Sequence, residues 1–233
     1  MERAVLARYK GCMHAMLAGR LQRYFGLYLY RVMARPLDGQ DPPPAGPLRY
    51  ALVDEADLLA HCRDPALELP AYSVSASFLR GDLCMGALQD GRLVGYAWLA
   101  FGATPESRGT WLEVGPQAGY TYRHFVRPEC RGRRILAGML RASDAALAQR
   151  ARSRCVSLIY THNRASIRAS ARSGAVTVGY AACLRLFGRP LSWRTPGAKR
   201  EGLRFFRRQS NLSLLSVAMR RLASMLATTT SRN

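Results

Sequence analysis

The sequence predicts an α/β fold built on a mixed β-sheet flanked by helices, with a helical extension at each end. Three observations predict it. Apolar runs of strand length alternate with stretches of helical period around the centre of the chain. An Asp90-Gly91 pair joins two such runs, 83–88 and 92–101, as a hairpin turn does. Composition is the third: 48% hydrophobic and 21% charged residues in a chain of 233 can bury a core without disulfides or metal, which excludes a wholly disordered chain. The longest apolar stretch, 24–34, falls short of the ~20 residues a membrane-spanning helix needs and contains Arg31.

Taken in order, Met13, Leu17, Leu21, Tyr24 and Tyr28 recur at spacings of four, four, three and four, which is one face of a helix, weakened by Gly19 and Gly26. Residues 38–47, DGQDPPPAGP, hold four prolines and two glycines and read as a linker. A short strand is expected at 48–53. Asp54 and Glu55 then open a helix, where acidic residues suit the first turn. A second helix lies between Pro70 and Arg80. Residues 120–126 form an alternating aromatic strand. The stretch 135–150 is helical, with Ile135, Met139, Ala142 and Ala146 on one face. A buried-type strand spans 155–160, a helix runs from Asn163 to Ser173 and closes at Gly174, and 176–187 returns to strand character. Beyond Trp193 there are nine Lys and Arg against one acid, Glu201, and Leu212, Leu215, Met219, Leu222 and Leu226 keep a helical period. These shifts divide the chain into a helix-plus-linker segment at 1–46, a central domain at 47–193 and a basic extension at 194–233.

The net charge of +20 invites a polyanionic partner. Yet Lys10 and Lys199 are the only lysines, and an Arg-rich, Ala- and Leu-rich chain is what a GC-rich bacterial coding sequence produces without selection for charge. No nucleic-acid motif accompanies the charge, so no specific nucleic-acid partner is expected. Cysteines at 12, 62, 84, 130, 155 and 183 have neither zinc nor redox spacing, so no metal is expected, and scattered thiols fit a cytoplasmic protein. Lys10, His14 and Arg20 interrupt any signal-peptide core.

The stretch that carries chemistry is Val126-Arg-Pro-Glu-Cys-Arg-Gly-Arg-Arg-Ile-Leu136. A strand ends at Val126, proline breaks it, and a basic loop runs into a helix. The first turn of a helix leaves amide donors unpaired, and the helix dipole adds positive potential there. Gly132 lets an anion approach the backbone, and Arg131, Arg133 and Arg134 add attraction and bidentate donors.

This pattern resembles the coenzyme A pyrophosphate loop of the GCN5-related N-acetyltransferases, the GNAT superfamily. Arg131 matches the loop's first basic position; Arg134 and Leu136 stand where the family usually has small residues. A second stretch, Asn163-Arg-Ala-Ser166 followed eleven residues after Asn163 by Gly174, resembles the family's later Asn-helix segment. Residue by residue, Asn163 is also a natural helix N-cap. The resemblance spans 48–193. It implies acetyl-CoA as acyl donor, held by Arg131, Gly132, Arg133, Arg134 and Ile135 at the pyrophosphate, by Asn163 and Ser166 at the pantetheine arm, and by the strand amides of Phe125, Val126 and Arg127 beside a gap between two parallel strands. The tyrosine that the family often places seven residues after the Asn is Ser170 here.

Acetyl transfer to an amine needs a base. Period two puts Tyr120, Tyr122, His124 and Val126 on one strand face, and His124 has the most suitable intrinsic pKa. Glu113 precedes that strand, where the resemblance implies an acid working through water, and Tyr122 is the third candidate. The expected acceptor is an amine of a small molecule or a protein. The alternative is a GNAT-fold protein that binds acyl-CoA or a partner without turnover. The terminal helices, apolar on one face with basic neighbours, suit an anionic membrane surface, the domain itself or a homodimer.

Overall fold

Gly26 divides the first described segment in two. Helix α1 (Met13–Phe25) ends there because Gly26 takes a left-handed φ of +61° and its amide donates to the Gln22 carbonyl at 3.1 Å. The chain then runs extended as β1 (Leu27–Pro36). The structure, a computed structural model, describes residues 13–37, 47–107, 109–186 and 189–208.

Strand β2 (Leu48–Val53) leads into α2 (Glu55–His61), capped by Asp54, whose carboxylate accepts the Asp57 amide at 2.8 Å. A single 3-10 turn, Pro65–Leu67, precedes α3 (Ala71–Leu79). Strands β3 (Leu83–Gln89) and β4 (Arg92–Ala100) form the expected hairpin, with Asp90 and Gly91 both at positive φ. Two short strands follow, β5 (Thr104–Ser107) and β6 (Thr110–Glu113), and then β7 (Ala118–Val126). The helix expected over 135–150 is two, α4 (Ile135–Ala142) and α5 (Asp144–Gln149). Between them the Ser143 hydroxyl donates back to the Met139 carbonyl at 2.8 Å, a local bond that bends helices. The rest is β8 (Arg154–Tyr160), α6 (Arg164–Arg172), β9 (Val176–Leu186), β10 (Arg189–Arg194), α7 (Pro196–Arg200) and β11 (Arg204–Arg207).

Eight strands make one mixed sheet in the order β10-β9-β1-β8-β7-β4-β3-β2. Neighbours are antiparallel except β7 and β8, which α4 and α5 connect as a parallel crossover. A smaller sheet, β11-β6-β5, contributes Leu112 and Phe205 to the core on one face, where Tyr30, Trp98, Tyr120 and Tyr122 also lie. On the opposite face α4 packs Ile135 and Met139 against Met85 and Val94, and Ile167 of α6 packs on Met33 and Ile159.

Two domain limits read from composition need correction. Residues 27–36 are no flank: β1 sits inside the main sheet, between β8 and β9, with Tyr30, Val32 and Ala34 buried. Tyr28 fits a helical period with Tyr24, but Gly26 ends the helix before it. At the other end, α7 and β11 belong to the domain, since β11 pairs with β6 and Ala198, Leu203 and Phe205 join the core. The proline-rich segment 38–46 and the apolar stripe at 212–226 lie outside the described residues.

Candidate functional site

Strand β7 carries a bulge that sets the site's geometry. Tyr96 pairs with Phe125 and Trp98 with Tyr122, so Arg123 and His124 together oppose Ala97 alone. Arg123 absorbs the extra residue at a φ of +47°. The bulge shifts the phase of alternation. Tyr120, Tyr122 and Phe125 therefore share one face with Trp98, whereas Val126 packs in the α4 layer. The expectation that Tyr122 and His124 share a face is corrected: His124 Nε2 lies 2.6 Å from the Thr121 hydroxyl, on the other side.

The parallel pair parts near this bulge. Strands β7 and β8 are in register from Ala118 and Arg154 to Thr121 and Ser157. Beyond that point β7 continues paired to β4, and β8 continues paired to β1 through Tyr160. A gap opens between 122–126 and 158–160. The Arg127 amide is committed to the Val94 carbonyl at 2.9 Å, so alternation turns the Val126 amide away from β4 and toward the gap. The Arg127 side chain is equally committed: it is buried, donates to the Leu93 carbonyl at 2.8 Å and forms an ion pair with Asp64.

The basic loop lies where β7 ends. After a 3-10 turn at Pro128–Cys130, Arg131 is extended, Gly132 takes a φ of +83° with open space where a Cβ would sit, and Arg134 takes a left-handed φ of +59° immediately before α4. No side chain of Arg134 caps the helix, so the first-turn amides that begin at Ile135 stay available to an anion. Arg131, Gly132, Arg133 and Arg134 are exposed and Ile135 is buried. Arg131 Nε donates to the Val126 carbonyl at 3.2 Å and Arg133 to Gln89 Oε1 at 3.2 Å, which hold the loop against the strand end. The backbone at Arg134 accounts for a small-residue position in the family pattern: only glycine adopts that conformation without steric cost. The loop thus presents an open cluster of amide and guanidinium donors.

Asn163 caps α6, its side-chain oxygen accepting the Ser166 amide at 3.1 Å. Ser170 is fully buried, and its hydroxyl has no partner among the described residues. Glu113, the last residue of β6, pairs across the small sheet with Arg204 at 2.5 Å. Tyr122 donates to Asp82 at 2.7 Å within a buried network that includes Ser77 and Arg80. Burial pushes the His124 imidazole down to about 4.

The tertiary structure brings forward one carboxylate that sequence reading passed over. Glu106, on β5, reaches into the tyrosine cluster. The Tyr120 hydroxyl donates to its Oε2 at 3.4 Å, and Tyr30 faces the same carboxyl. Tyr30 stacks on Tyr160 with ring centroids 5.2 Å apart. Burial raises the Glu106 pKa, and the tyrosine hydroxyls and Arg123 oppose that shift only in part. Desolvation, and then the Glu106 charge, hold both Tyr30 and Tyr120 well above the usual phenol range. A cavity of about 560 Å³ shares Tyr30 with this cluster and is lined also by Thr161, Tyr180, Trp193 and Lys199. Nothing in the local sequence of Glu106 announces it, because β5 reaches the main sheet only through long-range packing.

Comparison with known proteins places these features in a family. The model of the acetyltransferase (GNAT) family matches residues 53–175, over half of the chain. Among solved structures, a GNAT-family protein from Novosphingobium aromaticivorans is 19% identical with a TM-score of 0.48, over 72% of this chain and 66% of that one. A GCN5-related N-acetyltransferase from Sphaerobacter thermophilus is 17% identical with a TM-score of 0.45, over 73% and 55%. One from Kribbella flavida is 12% identical with a TM-score of 0.46, over 84% and 67%. The chain thus spans less than two thirds of the length of the first two. A search of curated proteins finds no match. The matched span opens at the end of β2 and closes just before β9, taking in the basic loop, the parted strands and the Asn163-capped helix, and the chain belongs to the GNAT family of acetyltransferases.

Proposed function

We propose that the protein transfers an acetyl group from acetyl-CoA to an amine, with Glu106 as the general base. The observation that carries this reading is the gap between β7 and β8, with the basic loop at its mouth and a desolvated carboxylate on one face. In this reading the amides at the start of α4, with Arg131, Arg133 and Arg134, hold the pyrophosphate. Asn163 and Ser166 border the pantetheine arm, and the Val126 amide points to the acyl end. Phe125 and Arg127 serve by fixing β7 to β4 rather than by contacting the donor.

The amine's proton passes to Glu106 as its nitrogen bonds to the thioester carbonyl carbon. The carbon–sulfur bond then breaks, and the coenzyme A thiolate leaves and takes up a proton. A carboxylate raised by burial is a better base near neutrality than an exposed one. Holding both reactants in the gap supplies an effective-concentration advantage on the order of 7–11 kcal/mol at best.

Thiol release from acetyl-CoA, measured over a panel of amines, tests the reading. Glu106→Gln should lower kcat/KM about 100- to 10,000-fold and remove the acid limb of the pH profile. Unchanged turnover in that variant excludes Glu106 as the base. Calorimetric binding of acetyl-CoA without thiol release on any amine would instead favour a binding protein.

A further inference from the structure

Arg80 pairs with Asp82 and Arg127 with Asp64, but Arg123 makes no ion pair among the described residues. It is exposed, and its guanidinium donates to the Ser73 hydroxyl on α3. Helix α3 also supplies Ser77 to Tyr122, so the Arg123 head lies in the same layer as Tyr122, Tyr120 and Glu106. The bulge holds Arg123 in a left-handed conformation that an L-residue adopts only at a steric cost. Strain of this kind concentrates where a side chain must be aimed. Arg123 lies three residues beyond Tyr120, which at the ~3.3 Å rise of a strand puts their Cα atoms roughly 10 Å apart. Arg123 also lies near enough to the Glu106 carboxyl to oppose the rise of its pKa, so a guanidinium and a carboxylate of opposite charge face the same layer.

We propose that Arg123 anchors a carboxylate on the acceptor, so that the preferred acceptor is an amine that also carries a carboxylate. The inference rests on Glu106 being the base, and it names the substrate class of that site. The carboxylate meets a planar guanidinium that can bond it bidentately, while the ammonium end meets Glu106 and the tyrosine rings. One guanidinium with one neighbouring hydroxyl suits a monoanion better than a phosphate dianion.

Matched pairs test this on the full chain with acetyl-CoA: L-lysine against cadaverine, L-phenylalanine against phenethylamine, and phosphoethanolamine against ethanolamine. The carboxylated member should have about tenfold higher kcat/KM, carried mainly by KM, the value of one charge-assisted hydrogen bond. Arg123→Gln should abolish that ratio, and Arg123→Lys, which keeps the charge, should retain part of it. Equal kcat/KM within either carboxylate pair, or a ratio there that survives Arg123→Gln, overturns the inference. So does a preference for phosphoethanolamine over the amino acids. Calorimetric titration of the same compounds onto wild-type and Arg123→Gln protein separates the two readings. If no amine releases thiol, the acetyl-transfer reading fails, while Arg123-dependent binding of the carboxylated members still upholds the anchor and its absence overturns it.

Discussion

His124 is half-buried, held against the Thr121 hydroxyl, and burial pushes its imidazole down to about 4. In the unfolded chain it returns to an ordinary value near 6.5. Below that value the unfolded state binds the extra proton first. Its contribution to stability is therefore complete above pH ~6.5 and is lost as the pH falls toward 4, by on the order of 3 kcal/mol in all. Urea unfolding between pH 4 and pH 7.5 should show this slope in the wild type and a flatter one in His124→Gln; equal slopes would remove His124 as its source. The same residue shows how far composition and spacing carry. Its intrinsic pKa suggests a base, but the one-residue bulge at Arg123 moves it out of the layer that holds Glu106. A period-two pattern cannot register a bulge, because the extra residue is visible only in the pairing with β4.

At the scale of elements, β1 is held by more than its ladders. Arg35, near its end, is buried with Asp144 of α5, donating to that carboxylate at 2.7 Å through one nitrogen and to the Leu140 carbonyl at 2.5 Å through another. A guanidinium left alone there would be desolvated without its counter-charge. Asp144→Ala should therefore destabilise the fold by about 3–5 kcal/mol, measured by denaturant unfolding. A loss under 1 kcal/mol would mean that the pair contributes little to docking β1. The α4 and α6 starts were legible because caps and loops are local: Asn163 three residues before the amide it accepts, and Gly132 in a basic loop after a strand-ending proline. The break at Ser143 was less legible, since the apolar period runs through it.

For the whole molecule, the consequential finding is that the sheet is closed by its first strand. Strand β1 pairs with β8 from Tyr30 to Pro36 and with β9 from Leu27 to Ala34. Removing it would leave β9 and β10 detached from β8 and expose Tyr30 and Val32's side of the core. A chain starting at residue 47 should lack a cooperative unfolding transition, as judged by near-ultraviolet circular dichroism and thermal melts, whereas one starting at residue 13 should retain it. Cooperative unfolding of the shorter chain would show that β8 and β9 can close on each other. The charge of +20 also resolves into separate uses: Arg35, Arg80 and Arg127 neutralise buried or half-buried carboxylates, and the loop arginines face solvent.

By itself the sequence determined what short-range physics determines. The order of elements from β2 to β9, apart from the short β5 and β6 and the break in the helix over 135–150, the Asp90-Gly91 hairpin, the Asp54 and Asn163 caps and the basic loop all follow from residues within a few positions of one another, and together they sufficed for the family. Only the tertiary structure decided that β1 belongs inside the sheet, that the bulge separates His124 from Tyr122, and that Glu106 and Arg123 meet on one face. Those outcomes depend on pairings between segments distant in the chain, as between Leu27 of β1 and Leu184 of β9. Local propensity carries no record of which distant segment will supply the partner.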